Sequence, residues 1–440
     1  MSTTNELPPG LTETNRDREM AWSIDVQADP YAIDLELLNP AHNELFRSNN
    51  VLPYFARLRA EEPIHYCANS QFGPYWSITK FDDIKSIEQN HQVFSSDIDN
   101  GGIRIGGRPT EGMDLGLFHL PMFIMQDPPK HSNQRKVIAP MFTPGRLAEF
   151  EHIIRARAGQ ILDKLPRGES FNWVREVSVE LTGRMLATLF GVPQDDRQLL
   201  IHWSDTVERI TDSDYFATPE EGFKELWKCF EYFDAIRRER TEKKSASTSD
   251  LISFLLQGDA TKDMPPNEFL GNILLLIVAG NDTTRNSISG GILACNQFPD
   301  QLIRVREKPS LLTNMVAEVI RWQTPVAHMS RTAMQDVEIR GKTIRKWDKV
   351  VLWYASGNRD EEHFEDADRF QIERENARTH LAFGYGIHRC VGSRLAEMQL
   401  QILWEEILKR FSRIEVTGQP KYLNSNFIRG ITDLPVTLYE

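Results

Sequence analysis

The sequence predicts a mainly α protein with a smaller β-rich region, and three features carry that expectation. Helical apolar periodicity dominates from Pro128 to Trp322. Strand character is confined to short segments, Ile64–Cys67, Tyr75–Thr79, Val337–Ile344 and Val350–Tyr354. A last helix-favouring stretch, Ser393 to Phe411, places Leu395, Met398 and Ile402 on one face.

Residues 1–30 are polar, contain Pro8, Pro9 and Gly10, and read as a flexible extension ahead of a folded unit, residues 31–440. Ile64–Cys67 and Tyr75–Thr79 flank a polar turn with Gly73 and Pro74, a β-hairpin pattern. Between Asp99 and Gly116 lie Gly101, Gly102, Gly106, Gly107, Gly112 and Gly116, which predicts an irregular, mobile loop. Asp127-Pro128-Pro129 opens a helix, with Asp127 as its cap and the prolines in the first turn. Lys243–Ser249 reads as a surface loop. Asn267 to Phe298 reads as one long helix opened by Pro265 and Pro266, about 48 Å at 1.5 Å per residue. Val337–Ile344 turns at Arg340-Gly341, and no internal repeat is visible.

The chain has 440 residues, enough for a large core, and length alone would suggest two or three domains. Its 51 basic and 63 acidic residues leave a net charge of −12, which disfavours a nucleic-acid partner. Cys67, Cys229, Cys295 and Cys390 are too widely and irregularly spaced for a disulfide framework, which points to a reducing compartment. The N-terminus lacks a signal-peptide pattern. The longest strongly apolar run, Ile273 to Ala279, is too short to span a bilayer, so no membrane anchor is expected. No G-x-G-x-x-G follows a strand pattern, so no flavin or dinucleotide site is expected in this chain.

One segment is far more specific: Phe383-Gly384-Tyr385-Gly386-Ile387-His388-Arg389-Cys390-Val391-Gly392. It puts a cysteine at the end of a glycine-rich loop, just before a helix. Orphan N–H groups and the helix dipole there favour thiolate, and Gly392 leaves room for something flat and bulky. Such a thiolate suits the axial ligation of haem iron. A buried cysteine in an ordinary loop would explain Cys390 alone. The full pattern Phe-Gly-x-Gly-x-His-x-Cys-x-Gly has a chance probability of roughly 10⁻⁶ or less in a chain this long.

This loop resembles the haem-binding signature of the cytochrome P-450 family, the haem-thiolate monooxygenases. The resemblance implies one continuous, mostly helical catalytic unit with haem b held between the long central helix and the Cys390 loop. Other landmarks follow in the family's order. Midway along the long helix, Ala279-Gly280-Asn281-Asp282-Thr283-Thr284 supplies small residues where a flat cofactor can approach, and the polar side chains compete for backbone bonds. Two apolar turns precede it, so Asp282 and Thr283 are expected to be buried. In the family this acid–alcohol pair relays protons during dioxygen activation, Asp282 as supplier and Thr283 as positioner. Glu318 and Arg321 lie 35 residues after Thr283 and 72 before Cys390, where the family has a buried structural pair. His131 and Arg135, four residues apart, match the family's propionate-contacting motif, and Arg331 and His388 complete that set. Phe383, Gly384, Ala279 and Gly280 would lie against the haem.

The family's substrate-facing positions map onto Leu275, Val278, Ala279, Val326, Ala327, Phe427 and Ile428. Plain core packing would account for any one of them; their joint apolarity favours an apolar substrate. Phe94-Ser95-Ser96-Asp97 with Asn100-Gly101-Gly102-Ile103, and Leu120-Pro121-Met122-Phe123-Ile124 ahead of Asp127, resemble the soluble bacterial alkane and fatty-acid terminal hydroxylases. The expectation is a soluble, cytoplasmic, bacterial monooxygenase hydroxylating the terminal carbon of a medium-length chain. Electrons would come from a ferredoxin and its reductase, docking on a basic face of Lys130, Arg135, Lys136, Arg389 and Arg394. Met113–Phe118 would form a flexible entrance. Oxidation of a terpene, steroid or other small cyclic compound stays open. A non-enzymatic haem-thiolate sensor fits less well, because it has no need of Asp282–Thr283.

Overall fold

The computed structural model describes residues 24–105, 120–210, 212, 214–242 and 250–440. The helices that build the site are α1 (Phe81–Gln89), α2 (Lys130–Ile138), α3 (Pro144–Asp163), α4 (Glu180–Phe190), α5 (Arg197–Arg209), α6 (Pro219–Glu242), α7 (Pro266–Gln297), α8 (Leu312–Gln323) and α9 (Ser393–Arg410). Five short strands, β1 (Ile64–Cys67), β2 (Tyr75–Ile78), β3 (Phe94–Ser95), β4 (Met329–Ala333) and β5 (Lys349–Leu352), form one sheet in the order β1-β2-β5-β4-β3. The β2–β5 pair is parallel and the rest are antiparallel.

Helix α7 is the axis of the molecule. Phe269, Leu270, Ile273, Leu274, Leu276 and Ile277 leave almost no polar side in its first half, and all six are buried. A helix apolar all round must be surrounded; α4, α5, α8 and α9 pack against it. Ile273 and Ile277, one turn apart and fully buried, each stabilise by roughly 1.5–3 kcal/mol. Pro266 starts the helix at its first position, and Pro299 forces Phe298 out of helical geometry (φ −128°, ψ 69°), which ends it. The polar patch after Ala279 does not break it: Thr283 Oγ1 donates to the Ala279 carbonyl at 2.9 Å while the helix continues.

Several expectations are corrected. Asp127 does not cap α2; its carboxylate accepts from Ser95 Oγ and, at 3.0 Å, from the Ser96 N–H, so it ties the approach to α2 onto β3. Residues 24–30, assigned to the extension, are packed: Ile24 and Val26 cover an apolar cluster and the Val26 carbonyl accepts from Asn50. The described part of the glycine-rich loop, residues 99–105, is irregular beyond Asn100 but pinned by hydrogen bonds. Lys349 Nζ donates to the Gly101 and Gly102 carbonyls, and the Ser330 N–H donates to the Ile103 carbonyl. The strand expected over Val350–Tyr354 ends at Leu352, because Tyr354 opens a short helix. The rest of the glycine-rich loop, the entrance at Met113–Phe118 and the loop Lys243–Ser249 lie outside the described residues. Among the described residues, no helix is long and apolar enough to cross a membrane.

Candidate active site

A cavity with about 1480 Å³ of empty space, its opening to solvent included, lies between α7 and the Cys390 loop. On one side Leu275, Ala279, Thr283 and Ser287, with Leu276, Gly280 and Thr284, form a stripe that follows the helical repeat along α7. Ala279 is exposed to this space. Gly280 serves packing as well: a Cβ there would sit 2.9 Å from Leu186 Cδ2 on α4. On the other side are Phe383, Gly384, His388, Cys390 and Gly392, with Leu395, Ala396 and Gln399 from the start of α9.

The Cys390 loop is held by its backbone. The Cys390 N–H donates to the Phe383 carbonyl at 2.8 Å, closing the loop on itself. Gly384 (φ +63°) and Gly386 (φ +64°) take the left-handed turns this requires. All four cysteines are free; Cys67, Cys229 and Cys295 are buried, and Cys390 is the accessible one. The expected low pKa is not what the protein alone provides. Although its side chain is reachable from the cavity, the surrounding loop desolvates the Cys390 thiol and pushes it up, and the Gly392 N–H, Arg135 and Arg389 only partly oppose this. A metal ion bound there would favour the thiolate.

The polar rim is built from α2, β4 and the loop. His131 and His388 face each other with ring centroids 4.1 Å apart, and among the described residues none of their four ring nitrogens has a hydrogen-bond partner. Burial holds both imidazoles neutral, His131 down to about 4 and His388 lower still, so each keeps one N–H to donate. Arg135 turns inward and donates to the Arg389 carbonyl. Arg331, expected in the propionate-contacting set, lines the cavity and is also engaged within the protein. Its Nη2 pairs with Glu88 at 3.0 Å and its Nη1 donates to the Ser330 carbonyl at 2.8 Å. Glu88 was not legible as a site residue, although it falls in register with Phe81 and Ile84 on the buried stripe of α1.

Asp282 and Thr283 part company. Thr283 lines the cavity and is only partly buried, whereas Asp282 is fully buried and turned toward α5. There it accepts from Ser204 Oγ at 3.1 Å and pairs with Arg285 at 2.6 Å. Of the expected substrate positions, Leu275, Ala279 and Val326 line the cavity. Val278 lies off the α7 stripe. Ala327 packs with Val351 and Trp353 in another cluster, and Phe427 and Ile428 pack with Ile103 and Leu423. Ile103, Phe123, Ile124 and Met329 take their place, supplied by segments that carry no periodic signal.

Glu318 and Arg321 are both fully buried and joined by two contacts, 2.7 and 2.8 Å. Arg321 also donates to the carbonyls of Asn358, Ala367 and Arg369, pinning the chain that leads to the Cys390 loop.

A haem would need a reachable sulfur on one face, small residues on the other, and donors at the rim for two carboxylates. Cys390, then Ala279 with Gly280, then Arg135 with the unpartnered ring nitrogens of His131 and His388 meet these needs. The residues fit the group.

Comparison with known proteins agrees. A family model described as Cytochrome P450 matches residues 78–435. The chain is 39% identical over 407 residues to the linalool 8-monooxygenase of Pseudomonas putida, covering 92% of this chain and 98% of that protein. It is 31% identical over 395 residues to the methyl-branched lipid omega-hydroxylase of Mycobacterium tuberculosis, covering 87% and 90%. The solved structure of cytochrome P450-153 from Novosphingobium aromaticivorans is 42% identical and superposes with a TM-score of 0.85, covering 91% of this chain and 99% of that one. With the Cys390 loop facing the small-residue stretch of α7 across one cavity, and a family model spanning most of its length, this chain belongs to the cytochrome P450 family of monooxygenases.

Proposed function

We propose that the chain hydroxylates the terminal carbon of a medium-length, largely apolar molecule, an alkane or fatty acid, using dioxygen and two electrons delivered by a ferredoxin and its reductase. Cys390 would hold haem b, which would supply the oxidising chemistry, with electron density contributed by the thiolate. The chain's own residues do the rest. His131, Arg135 and His388 hold the rim of the cofactor. Thr283 presents its oxygen to the cavity, and Asp282, its neighbour on α7, is a buried acid from which protons can be replaced.

The observation that carries the regiochemical reading is the apolar wall facing Cys390: Leu275, Ala279 and Val326 with Ile103, Ile124 and Met329. Terminal C–H bonds are stronger than internal ones, so a terminal hydroxylase must enforce position by shape, holding the chain end close and excluding the neighbouring methylene. Similarity to an omega-hydroxylase supports this reading. The similarity to a linalool 8-monooxygenase favours a second one, in which the chain is a terpene. Product analysis with octane, a medium-chain fatty acid and linalool separates them. Predominantly 1-octanol and the ω-hydroxy acid are expected; mostly subterminal alcohols, or turnover of linalool alone, would overturn the first reading.

A further inference from the structure

We propose that Glu88 is a positioning residue for the cofactor: its buried carboxylate joins α1 to the Cys390 loop, engages Arg331, and its charge is sensed at the iron. Glu88 sits in the last turn of α1, is 4% exposed and lines the cavity beside Arg331 and Gly384. Three donors converge on it from three different segments: Arg331 Nη2 at 3.0 Å from β4, the Tyr354 hydroxyl, and the Tyr385 N–H of the loop itself.

The loop is shaped around this residue. A Cβ at Gly386 would lie 2.2 Å from the Glu88 carbonyl oxygen, and one at Gly384 would lie 3.4 Å from its Oε2. Two glycines of the Cys390 signature are thus in contact with the end of α1, and the carboxylate fastens the peptide between them. An apolar brace could fill the same space without the several kcal/mol that burying a carboxylate costs. What an apolar side chain cannot do is hold Arg331 and place a negative charge beside the cofactor. Adding an electron to the iron next to that charge is disfavoured, so Glu88 lowers the reduction potential. Replacing it with a neutral side chain removes the anion and releases the Arg331 cation, and both changes favour the reduced state.

The proposal rests on the haem being bound through Cys390, and the test separates the two. The midpoint potential is measured by spectroelectrochemical titration of the purified holoprotein as wild type, Glu88→Gln and Glu88→Asp, with the reduced carbon-monoxide spectrum recorded for each. The thiolate-type Soret band is expected in all three, with an upward shift of potential in Glu88→Gln and a return toward the wild-type value in Glu88→Asp. An unmoved or lower potential in Glu88→Gln, with its thiolate band intact, overturns the proposal. If Glu88→Gln yields no folded holoprotein, Arg331→Gln is titrated instead. It leaves the Glu88 charge uncompensated and should lower the potential; no change would show that the pair is not sensed at the iron. Absence of the thiolate band in the wild type would defeat the haem–Cys390 reading and this proposal with it, whereas an intact band with an unmoved potential defeats this proposal alone.

Discussion

Arg285 Nη2 lies 2.6 Å from Asp282 Oδ1, one turn back along α7, while its Nη1 holds Asp205 of α5 at 2.7 Å. One buried guanidinium therefore serves two carboxylates. A third, Glu208, lies close by and is paired with Arg104 at 2.7 Å. Burial pushes the Asp282 carboxyl up to about 7; Arg285 opposes the rise, and Glu208 and Asp205 add to it. Asp282 is thus poised to hold or release a proton near neutral pH.

The sign of the resulting pH dependence is fixed. Between the unfolded value of about 3.9 and about 7, the folded chain keeps a proton on Asp282 that the unfolded chain has lost. This contribution to stability is present at low pH and disappears as pH rises through that window. Urea midpoints compared at pH 5 and pH 8 should show a wild-type loss that is smaller in Asp282→Asn. Coupled turnover should fall as pH rises through about 7, and Asp282→Asn should be slower by about 100-fold, without that limb. Equal pH profiles for the two proteins would exclude Asp282 from proton supply.

Thr283 spends its own proton on the Ala279 carbonyl, so the oxygen it turns to the cavity is an acceptor. Thr283→Ala should leave cofactor binding intact while diverting a larger share of the NADH or NADPH consumed into hydrogen peroxide; Thr283→Ser should restore coupling. Peroxide assays with a saturating substrate check this, and unchanged coupling in Thr283→Ala would count against the role.

Much of this was legible in the sequence, for local reasons. The long helix expected over Asn267–Phe298 is Pro266–Gln297, and the helix expected over Ser393–Phe411 is Ser393–Arg410, because prolines and glycine mark their ends. The Cys390 loop was legible because its geometry needs glycines at set positions. The Glu88–Arg331 pair was not, since its members are 243 residues apart and Glu88 belongs to no motif. The same holds for the contact of Asp282 with α5, and for the placement of Phe427 and Ile428 in a neighbouring cluster: each depends on how distant segments pack, which no local periodicity records.

Glu318 and Arg321 should behave as a structural unit. Glu318 also accepts from the Gln371 N–H at 2.9 Å and pairs with Arg374, so removing its carboxylate strands two buried guanidinium groups. Glu318→Ala is expected to lose about 3–5 kcal/mol, read from chemical denaturation. A loss under 1 kcal/mol would contradict that assignment.

The docking face expected from sequence is smaller in the structure. Arg135 turns inward and Lys130, though exposed, pairs with Glu268 at 2.9 Å, leaving Lys136, Arg389 and Arg394 as the exposed members, with Arg378 also exposed. Reduction by an acidic ferredoxin should slow as ionic strength rises, and should slow further in Arg389→Glu. Rates indifferent to both would exclude this face.

The central claim is that Cys390 is the thiolate ligand of a haem, and the spectrum of the reduced carbon-monoxide complex tests it most directly. The wild-type protein should show the thiolate-type Soret band, and Cys390→Ser should lose it while the protein stays folded. A thiolate-type band that survives in Cys390→Ser would contradict the account.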